Sequence, residues 1–167
     1  MNSAVLALLA LMTRAAYISS YPPEQRSLVL HDANRPVMAP LTDTDQIGFS
    51  DVHISSNSQL IGWLTVIPNC CATYPITWSL VVSSHGKIVG HFREEFPIFR
   101  WQFTPDGSAI AYQIGQVHGC GFVGYKLRRV SDGALLGEYE CSCESSTNAP
   151  APNWVSAVAW ACPELAH

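Results

Sequence analysis

The six cysteines are the side chains with the most potential chemistry in this chain. They are Cys70, Cys71, Cys120, Cys141, Cys143 and Cys162. An even number of cysteines in a chain of 167 residues is typical of a protein that folds in an oxidising compartment. We therefore predict that they form disulfides, and the sequence leaves their pairing open.

Metal binding is the alternative chemistry for some of these thiols. The cysteines occur as one adjacent pair, one His-x-Cys motif and one Cys-x-Cys motif, which could together supply thiolate and imidazole ligands. None of these motifs has the two-residue gap of the common zinc knuckle, so we rank a metal site below disulfides. The candidate ligands for such a site are His118, Cys120, Cys141 and Cys143. No cofactor is predicted.

The remaining polar side chains form no recognisable catalytic motif. The sequence has no Gly-x-Ser-x-Gly nucleophile elbow and no glycine-rich loop that ends in Lys-Ser or Lys-Thr. Adjacent side chains on a strand point apart, so Glu94-Glu95 is interpreted as a charged linker. His53, His85 and His91 are interpreted as polar residues of the surface or of sheet interfaces. We predict no enzymatic activity.

Three aspartates cluster around the entry to the first full repeat and could bind calcium. Asp43, Asp45 and Asp51 lack the glycine and the final glutamate of a helix-loop-helix calcium loop. We therefore predict that they are solvated loop carboxylates.

The elements that must position these residues are best read from the stretch Trp101 to Tyr112. Pro105 presets φ, Asp106 can bond its own backbone, and Gly107 can take the positive φ that closes a tight turn. The flanking aromatic and aliphatic residues alternate with the period of two that a strand requires. The stretch therefore predicts a β-hairpin.

The rest of the chain repeats this hairpin. Val52, Ile54, Asn57, Ile61 and Trp63 correspond to residues 49 positions later. A second hairpin, from Trp78 through Gly86 to Phe92, matches Tyr125 through Asp132-Gly133 to Tyr139 at an offset of 47. A period near 48 residues with four short strands predicts the blade of a β-propeller, and a β-sandwich with similar hairpins is the alternative.

Partial units flank the two full ones. Residues 27–38 resemble the outer two strands of a blade, and Asn153 to Trp160 resembles an innermost strand. Blade topology predicts that five cysteines share one face, whereas Cys162 lies towards the opposite face. The five are Cys70, Cys71, Cys120, Cys141 and Cys143.

The sequence Phe-Thr-Pro-Asp-Gly-Ser-x-Ile-Ala-Tyr, together with Ser131-Asp132-Gly133, resembles the WD40-like repeats of the TolB family and the propellers of prolyl-oligopeptidase-type enzymes. The resemblance covers residues 27 to 160 and implies an all-β fold of two full four-stranded blades flanked by partial ones. Closed propellers have about four to eight blades, so this resemblance implies an incomplete propeller. A homo-oligomer that completes a ring is one expected solution.

The N-terminal residues predict that the protein is exported. Residues 1–16 contain an apolar run followed by small residues, as in a signal peptide, although no Lys or Arg precedes the run. A packed terminal helix and the edge of a longer open reading frame are the alternatives. The run is too short to span a bilayer. We divide the chain into this leader, a linker (17–26), the repeat domain (27–160) and a tail (161–167).

The overall charge indicates which classes of partner are not expected. The formal net charge is −4, and no run of basic residues exceeds Arg128-Arg129, so nucleic acid and anionic membranes are not expected partners. The resemblance implies a non-catalytic, exported binding or scaffold module with a protein partner. The alternatives are a fragment of a propeller-bearing hydrolase and a small extracellular structural protein stapled by disulfides.

Overall fold

The computed structural model describes residues 27–32, 35–70, 74–118, 121–142 and 150–158. This part of the chain contains ten strands and one helical turn, which confirms the all-β class. The elements are β1 (Val29–Asp32), β2 (Arg35–Met38), β3 (Gly48–Ile54), β4 (Leu60–Ile67), β5 (Ile76–Ser84), β6 (Lys87–Arg93), β7 (Ile98–Phe103), β8 (Ala109–Gly115), β9 (Phe122–Arg129), β10 (Leu135–Ser142) and α1 (Asn153–Ser156). Among these residues there is no helix with the length and hydropathy that crossing a membrane requires. The predicted leader, linker and tail lie outside the described residues.

The strands form three antiparallel sheets. Strands β1 and β2 form a two-stranded sheet, which we call the N-terminal sheet. Strands β3 to β6 form a four-stranded sheet in sequence order, blade 1, and β7 to β10 form a second one, blade 2. Each strand of a blade pairs with the next strand of the chain, so each blade is a simple meander.

The first hairpin of each blade closes with the same turn. In blade 2 the side-chain oxygens of Thr104 and Asp106 accept hydrogen bonds from backbone amides two to five residues ahead. In blade 1, Ser55 and Asn57 make the equivalent bonds 49 positions earlier. Gly107 closes the turn of blade 2 at φ 71°. The offset of 49 for the first two strands is therefore confirmed.

The third strands are related by 45 residues, and the predicted offset of 47 is wrong for them. Leu80 pairs with Leu64, whereas Tyr125 pairs with Gln113, which lies 49 residues after Leu64. Tyr125 therefore corresponds to Leu80, and Leu127 does not. The loop before β9 is shorter by four residues, and the turn before β10 is longer by two. Both differences in length are even numbers of residues, so each side chain stays on the same face of the sheet. The alternation of apolar and polar residues therefore cannot distinguish an offset of 45 from one of 47.

The sheets stack in layers around three hydrophobic clusters. Between the N-terminal sheet and blade 1 lie Leu28, Leu30, Ala39, Trp63 and Val81. Between the blades lie Leu64, Leu80, Val82, Phe92, Ile98, Trp101, Ile110, Tyr112, Ile114 and Val130. On the far face of blade 2 lie Ala111, Tyr125, Cys141, Val155 and Val158. Each blade therefore buries both of its faces.

Trp101 joins the two blades most closely. Its ring packs on Gly62, where an added Cβ would lie 2.5 Å from the ring, so only glycine fits without rearrangement. Its Nε1 donates a 2.7 Å hydrogen bond to the backbone carbonyl of Asp51. Asp51 has a φ of 47° in the irregular part of β3, and this distortion exposes the carbonyl to the neighbouring blade.

The predicted innermost strand from Asn153 to Trp160 is wrong over its described part, where the chain forms α1. Val155 and Val158 are buried against blade 2, and a spacing of three residues places them on one side of a helical turn. Trp154 lies over Gly137, whose added Cβ would be 3.3 Å from the indole. Short apolar segments fit helix and strand periods equally well, which explains the error.

Candidate functional site

Glu94 lies in the connector between the blades, and its side chain is only 6% exposed. Its carboxylate accepts a 2.5 Å hydrogen bond from the Tyr112 hydroxyl and another from Lys126 Nζ at 2.5 Å. The guanidinium of Arg128 lies 3.5 Å from the same carboxylate. The three donors come from β8 and β9 of blade 2, so they fix the connector on the face that blade 2 presents to blade 1. We call these four residues the Glu94 network.

The chemistry of this network is that of a closed ion pair. Burial raises the pKa of Tyr112 far above its usual value, and the Glu94 carboxylate raises it further. Arg128 Nε donates a 2.7 Å hydrogen bond to the Tyr112 oxygen, which offsets only part of the rise. The phenol therefore stays protonated and acts as a donor to Glu94. A carboxylate that is held by three donors is a poor general base.

Asp43 is the corresponding buried acid in the connector between the N-terminal sheet and blade 1. Its side chain is 4% exposed, and it accepts hydrogen bonds from Thr65 Oγ1 at 2.6 Å and from Arg93 at 2.9 Å. His91 Nε2 lies 3.4 Å away. Burial raises the pKa of Asp43, but the hydroxyls of Thr65 and Ser79, the charge of His91 and the hydrogen bond from Arg93 outweigh it, so the pKa lies below its ordinary value.

These two carboxylates correct the sequence interpretation. Asp43 was predicted to be solvated and is buried, whereas Asp45 and Asp51 are exposed. Glu94 does lie in a linker, but its side chain is buried in an interface and Glu95 is exposed. Both buried acids stand a few residues before the first strand of a blade. This shared position in the repeat is the signal that could have found them.

The loops that join the second and third strands of each blade meet at one end of the stack. Tyr74 precedes β5 and His118 follows β8, and the Tyr74 hydroxyl lies 2.7 Å from His118 Nε2. Their rings also contact edge to face, with centroids 5.9 Å apart. Both side chains are exposed. We call this region, with the connector 39–47 and residues 67–70, the loop end.

A groove of about 450 Å³ opens at the loop end beside blade 1. Its lining consists of Thr44, Asp45, Gln46, Ile47, Ile67, Pro68 and Cys70. Ile47 and Tyr74 at this end, and Leu41 in the connector, are large apolar residues that remain exposed. Gln46 is buried, and its amide bonds Thr42 and Gly48, which fixes the wall of the groove.

The structure describes two of the six cysteines. Cys70 is an exposed free thiol in the groove. Cys141 is buried against the far face of blade 2 and is not a free thiol. The predicted neighbours Cys71, Cys120, Cys143 and Cys162 lie outside the described residues.

The predicted metal ligands are only partly within the described residues. His118 contacts Tyr74, and Cys141 packs among apolar side chains. Across the parts of the chain that the structure describes, no three His, Cys, Asp or Glu side chains are grouped to hold a metal ion. Cys120 and Cys143 fall outside these parts.

The other predicted histidines have local partners. His53 Nε2 lies 2.8 Å from an Asp51 oxygen, and its ring contacts Trp101 edge to face. His85 occupies the turn between β5 and β6, and its Nε2 lies 3.1 Å from Gln59 Oε1.

The predicted turn residues lie at the tips of the hairpins. Pro105 accepts a 2.6 Å hydrogen bond from Ser56, which links the turns of the two blades. The hydroxyls of Thr104 and Ser108 and the Ser108 amide lower the pKa of Asp106 to about 2. The equivalent turns of the second hairpins contain Gly86, Asp132 and Gly133. Gly86 and Gly133 both have φ above 70°.

The fold defines this chain as an all-β protein of stacked, blade-like antiparallel sheets. No family model matches the sequence, and no curated protein is significantly similar to it.

Proposed function

We propose that this chain is a non-catalytic binding module that receives a protein partner at its loop end. The observation that carries the proposal is the groove beside blade 1, where Ile47 leaves apolar surface exposed. Tyr74, an exposed aromatic residue further along the loop that contributes Pro68 and Cys70, contacts His118 of blade 2. Aromatic and aliphatic anchors beside a concavity are the usual core of a protein interface. The rigid blades fix the positions of the loops that carry these anchors.

The distribution of ionisable groups supports binding over catalysis. Asp43 and Glu94 are the acids buried most deeply among the ion pairs of the described residues, and both are neutralised by cations within the sheet interfaces. A general base needs a free lone pair beside substrate-accessible space. These carboxylates instead fix the connector before each blade onto that blade.

A matched pair of variants tests the proposal. The groove variant combines Ile47→Asp with Tyr74→Ser, and the control is Val29→Ser, which removes an exposed apolar side chain from the N-terminal sheet. Immobilised protein is incubated with an extract of the source organism, and each enriched protein is then purified and titrated by calorimetry. We expect one partner that binds the wild type and the control with equal affinity and binds the groove variant at least tenfold more weakly. Equal binding of every enriched protein to the groove variant contradicts the proposal.

We also propose that the chain is exported and related to the WD40-like repeats of the TolB family. The even cysteine count and the apolar leader support export, and the Thr-Pro-Asp-Gly turn supports the relationship. Expression in an export-competent host, followed by intact mass spectrometry, tests export. A mass that retains residues 1–16 with all thiols alkylatable without reductant contradicts it.

A second candidate function is that of an extracellular structural protein stapled by disulfides. The bonded state of Cys141 in β10 favours it, because a disulfide stabilises a fold by constraining the unfolded chain. This function predicts a large fall in thermal stability on reduction and no specific partner. An unchanged melting temperature in reductant contradicts it.

A further inference from the structure

The N-terminal sheet occupies the place of the outer half of a blade. The turn between β9 and β10 contacts β6, since a Cβ on Gly133 would lie 3.4 Å from the Phe92 ring. In the same way the turn between β5 and β6 contacts β2, where a Cβ on Gly86 would lie 4.0 Å from Val37. Strand β2 therefore corresponds to β6, the fourth strand of a blade, and β1 corresponds to β5, the third strand. In the described part of the chain, β1 has a neighbouring strand on one side only.

The backbone of β1 presents bonding groups on its other side, where the second strand of a blade would lie. The amide of Ala39 donates a 2.8 Å hydrogen bond to the Leu28 carbonyl, so alternate residues of β1, starting from Leu28, bond β2. The amides and carbonyls of Val29 and His31 consequently point away from β2. A strand edge with such groups readily pairs with a further strand. We call this side of β1 the open edge.

The outer edge of β2 is protected against pairing, whereas the open edge of β1 is not. Pro36 pairs with His31, so its nitrogen lies on the side of β2 that faces away from β1. Proline has no N–H group, which prevents a regular ladder there. Strand β1 contains no proline, and its register with β2 is free of bulges. The N-terminal sheet can therefore be extended beside β1 but not beside β2.

The inner strands of blade 1 are covered less completely than those of blade 2. Ile98 and Ile110, in the first two strands of blade 2, are 0% exposed because blade 1 covers them. Phe49 and Ile61 stand 49 positions earlier and pack beside the N-terminal sheet, but they are only half-buried. In the same layer Trp63 Nε1 is buried without a hydrogen-bond partner among the described residues. A buried donor without a partner is destabilising, so both observations indicate a further element in this layer.

The length of the chain before β1 identifies a segment that can supply this element. The loop between the second and third strands has eight residues in blade 1 (68–75) and six in blade 2 (116–121). A strand over residues 17–21 would be joined to β1 by residues 22–28, which are seven. A loop of this length joins antiparallel strands in both blades. Residues 17–21 therefore reach the open edge with the connection that the repeat uses.

The residue types of this segment suit a strand. Its sequence is Tyr17-Ile18-Ser19-Ser20-Tyr21, which carries no charge and contains the aromatic and β-branched residues that strands favour. Pro22 follows directly and would end the ladder. Strand β4, the second strand of blade 1, ends at Ile67 directly before Pro68 in the same way. The C-terminal residues are a poorer source, because Val155 and Val158 pack on the far face of blade 2.

We propose that residues 17–21 form a strand that pairs antiparallel with the open edge of β1. This strand takes the place of the second strand of a blade, bonds the backbone of Val29 and His31, and covers Phe49 and Ile61. It also shields the open edge from the strands of other chains. Because residues 17–21 follow the predicted leader, the pairing does not depend on removal of residues 1–16. It is also independent of partner binding at the loop end.

Amide hydrogen exchange of the full chain, followed residue by residue by NMR, tests this pairing. The amides of Val29 and His31 should exchange about a hundredfold more slowly than exposed amides, as should the Leu30 amide, which bonds β2. Nuclear Overhauser contacts should connect residues 17–21 with β1. Exchange of Val29 and His31 at the rate of exposed amides overturns the proposal. Slow exchange without contacts to residues 17–21 also overturns it, since another chain would then occupy the edge.

A double proline variant tests which segment protects these amides. Successive amides of a strand point to opposite sides, so Ser19→Pro with Ser20→Pro removes at least one donor that faces β1. The variant should speed exchange at Val29 and His31 about tenfold or more and leave Leu80, in the middle of blade 1, unchanged. Gln25→Pro, in the connecting residues, is the control and should keep both amides protected. Equal protection in the double variant and in Gln25→Pro overturns the proposal.

Discussion

Replacing Glu94 with glutamine should destabilise the contact between the blades by a large and specific amount. The substitution keeps the size of the side chain but removes the charge that Tyr112, Lys126 and Arg128 surround. Lys126 and Arg128 then stay beside an uncharged amide, with side chains only 17% and 25% exposed. The buried tyrosine hydroxyl exchanges a charge-assisted hydrogen bond for a weaker one to a neutral amide.

The magnitude follows from the burial of the partners. Removing one member of a fully buried ion pair costs about 3–5 kcal/mol, because the other charge is left without compensation. Here the cations retain some contact with solvent, so we expect a loss of about 2–4 kcal/mol in the free energy of unfolding. This loss is a large share of the roughly 5–15 kcal/mol that stabilises a typical domain.

Urea unfolding, followed by tryptophan fluorescence, measures this loss at constant m-value. Glu95→Gln is the matched control, because the neighbouring side chain is exposed and its substitution should cost less than about 0.5 kcal/mol. The double variant Glu94→Gln with Lys126→Met should recover part of the loss, since it removes one of the uncompensated cations. A loss for Glu94→Gln as small as that for Glu95→Gln would refute the reasoning that this network joins the blades.

Three further predictions follow from the described geometry. Asp43→Asn should lower the free energy of unfolding at about pH 6 and have less effect at about pH 2.5, because a carboxylate with a lowered folded pKa stabilises the fold only where it is ionised; urea titrations at both pH values measure this. Gly107→Ala should cost about 1–2 kcal/mol, since φ is 71° there, whereas Gly48→Ala, with its nearest atom at 3.9 Å, should change stability by less than about 0.5 kcal/mol. In the native protein a maleimide should label Cys70 and leave Cys141 unlabelled until reduction, as peptide mapping would show.

The all-β class and the strand order could be predicted from the sequence because local chemistry specifies them. The Thr-Pro-Asp-Gly turn fixes one hairpin, and the repeat transfers that hairpin to blade 1 even though the turn residues there are Ser55, Asn57 and Ser58. Ser58 adopts a φ of 59° at the position of Gly107, so the backbone conformation persists where the residue type does not. The side-chain oxygens of Ser55 and Asn57 make the same hydrogen bonds as those of Thr104 and Asp106, so this bonding pattern persists in both turns.

The buried acids could not be predicted because they depend on contacts between layers. Asp43 meets Thr65 and Arg93, which lie 22 and 50 residues further along the chain. Charge and spacing alone cannot distinguish such a residue from a solvated loop carboxylate. The same holds for the groove at the loop end, which requires the connector and residues 67–70 to come together.

The corrected register shows that matched rows of the two blades differ in polarity. On the face that blade 1 presents to blade 2, Leu64, Leu80 and Phe92 form an apolar row across three strands. The equivalent row of blade 2 is Gln113, Tyr125 and Tyr139, with a polar group on every side chain. An apolar row favours close packing against the flat face of another sheet, whereas a polar row requires hydrogen-bonding partners. Within the described residues this second row packs against 150–158, where α1 supplies Val155 and Trp154 in place of a third sheet. The cap packs apolar side chains on Tyr125 and Tyr139, and Gln113 Oε1 is buried with no hydrogen-bond partner among the described residues, so the polarity of this row does not by itself select the cap.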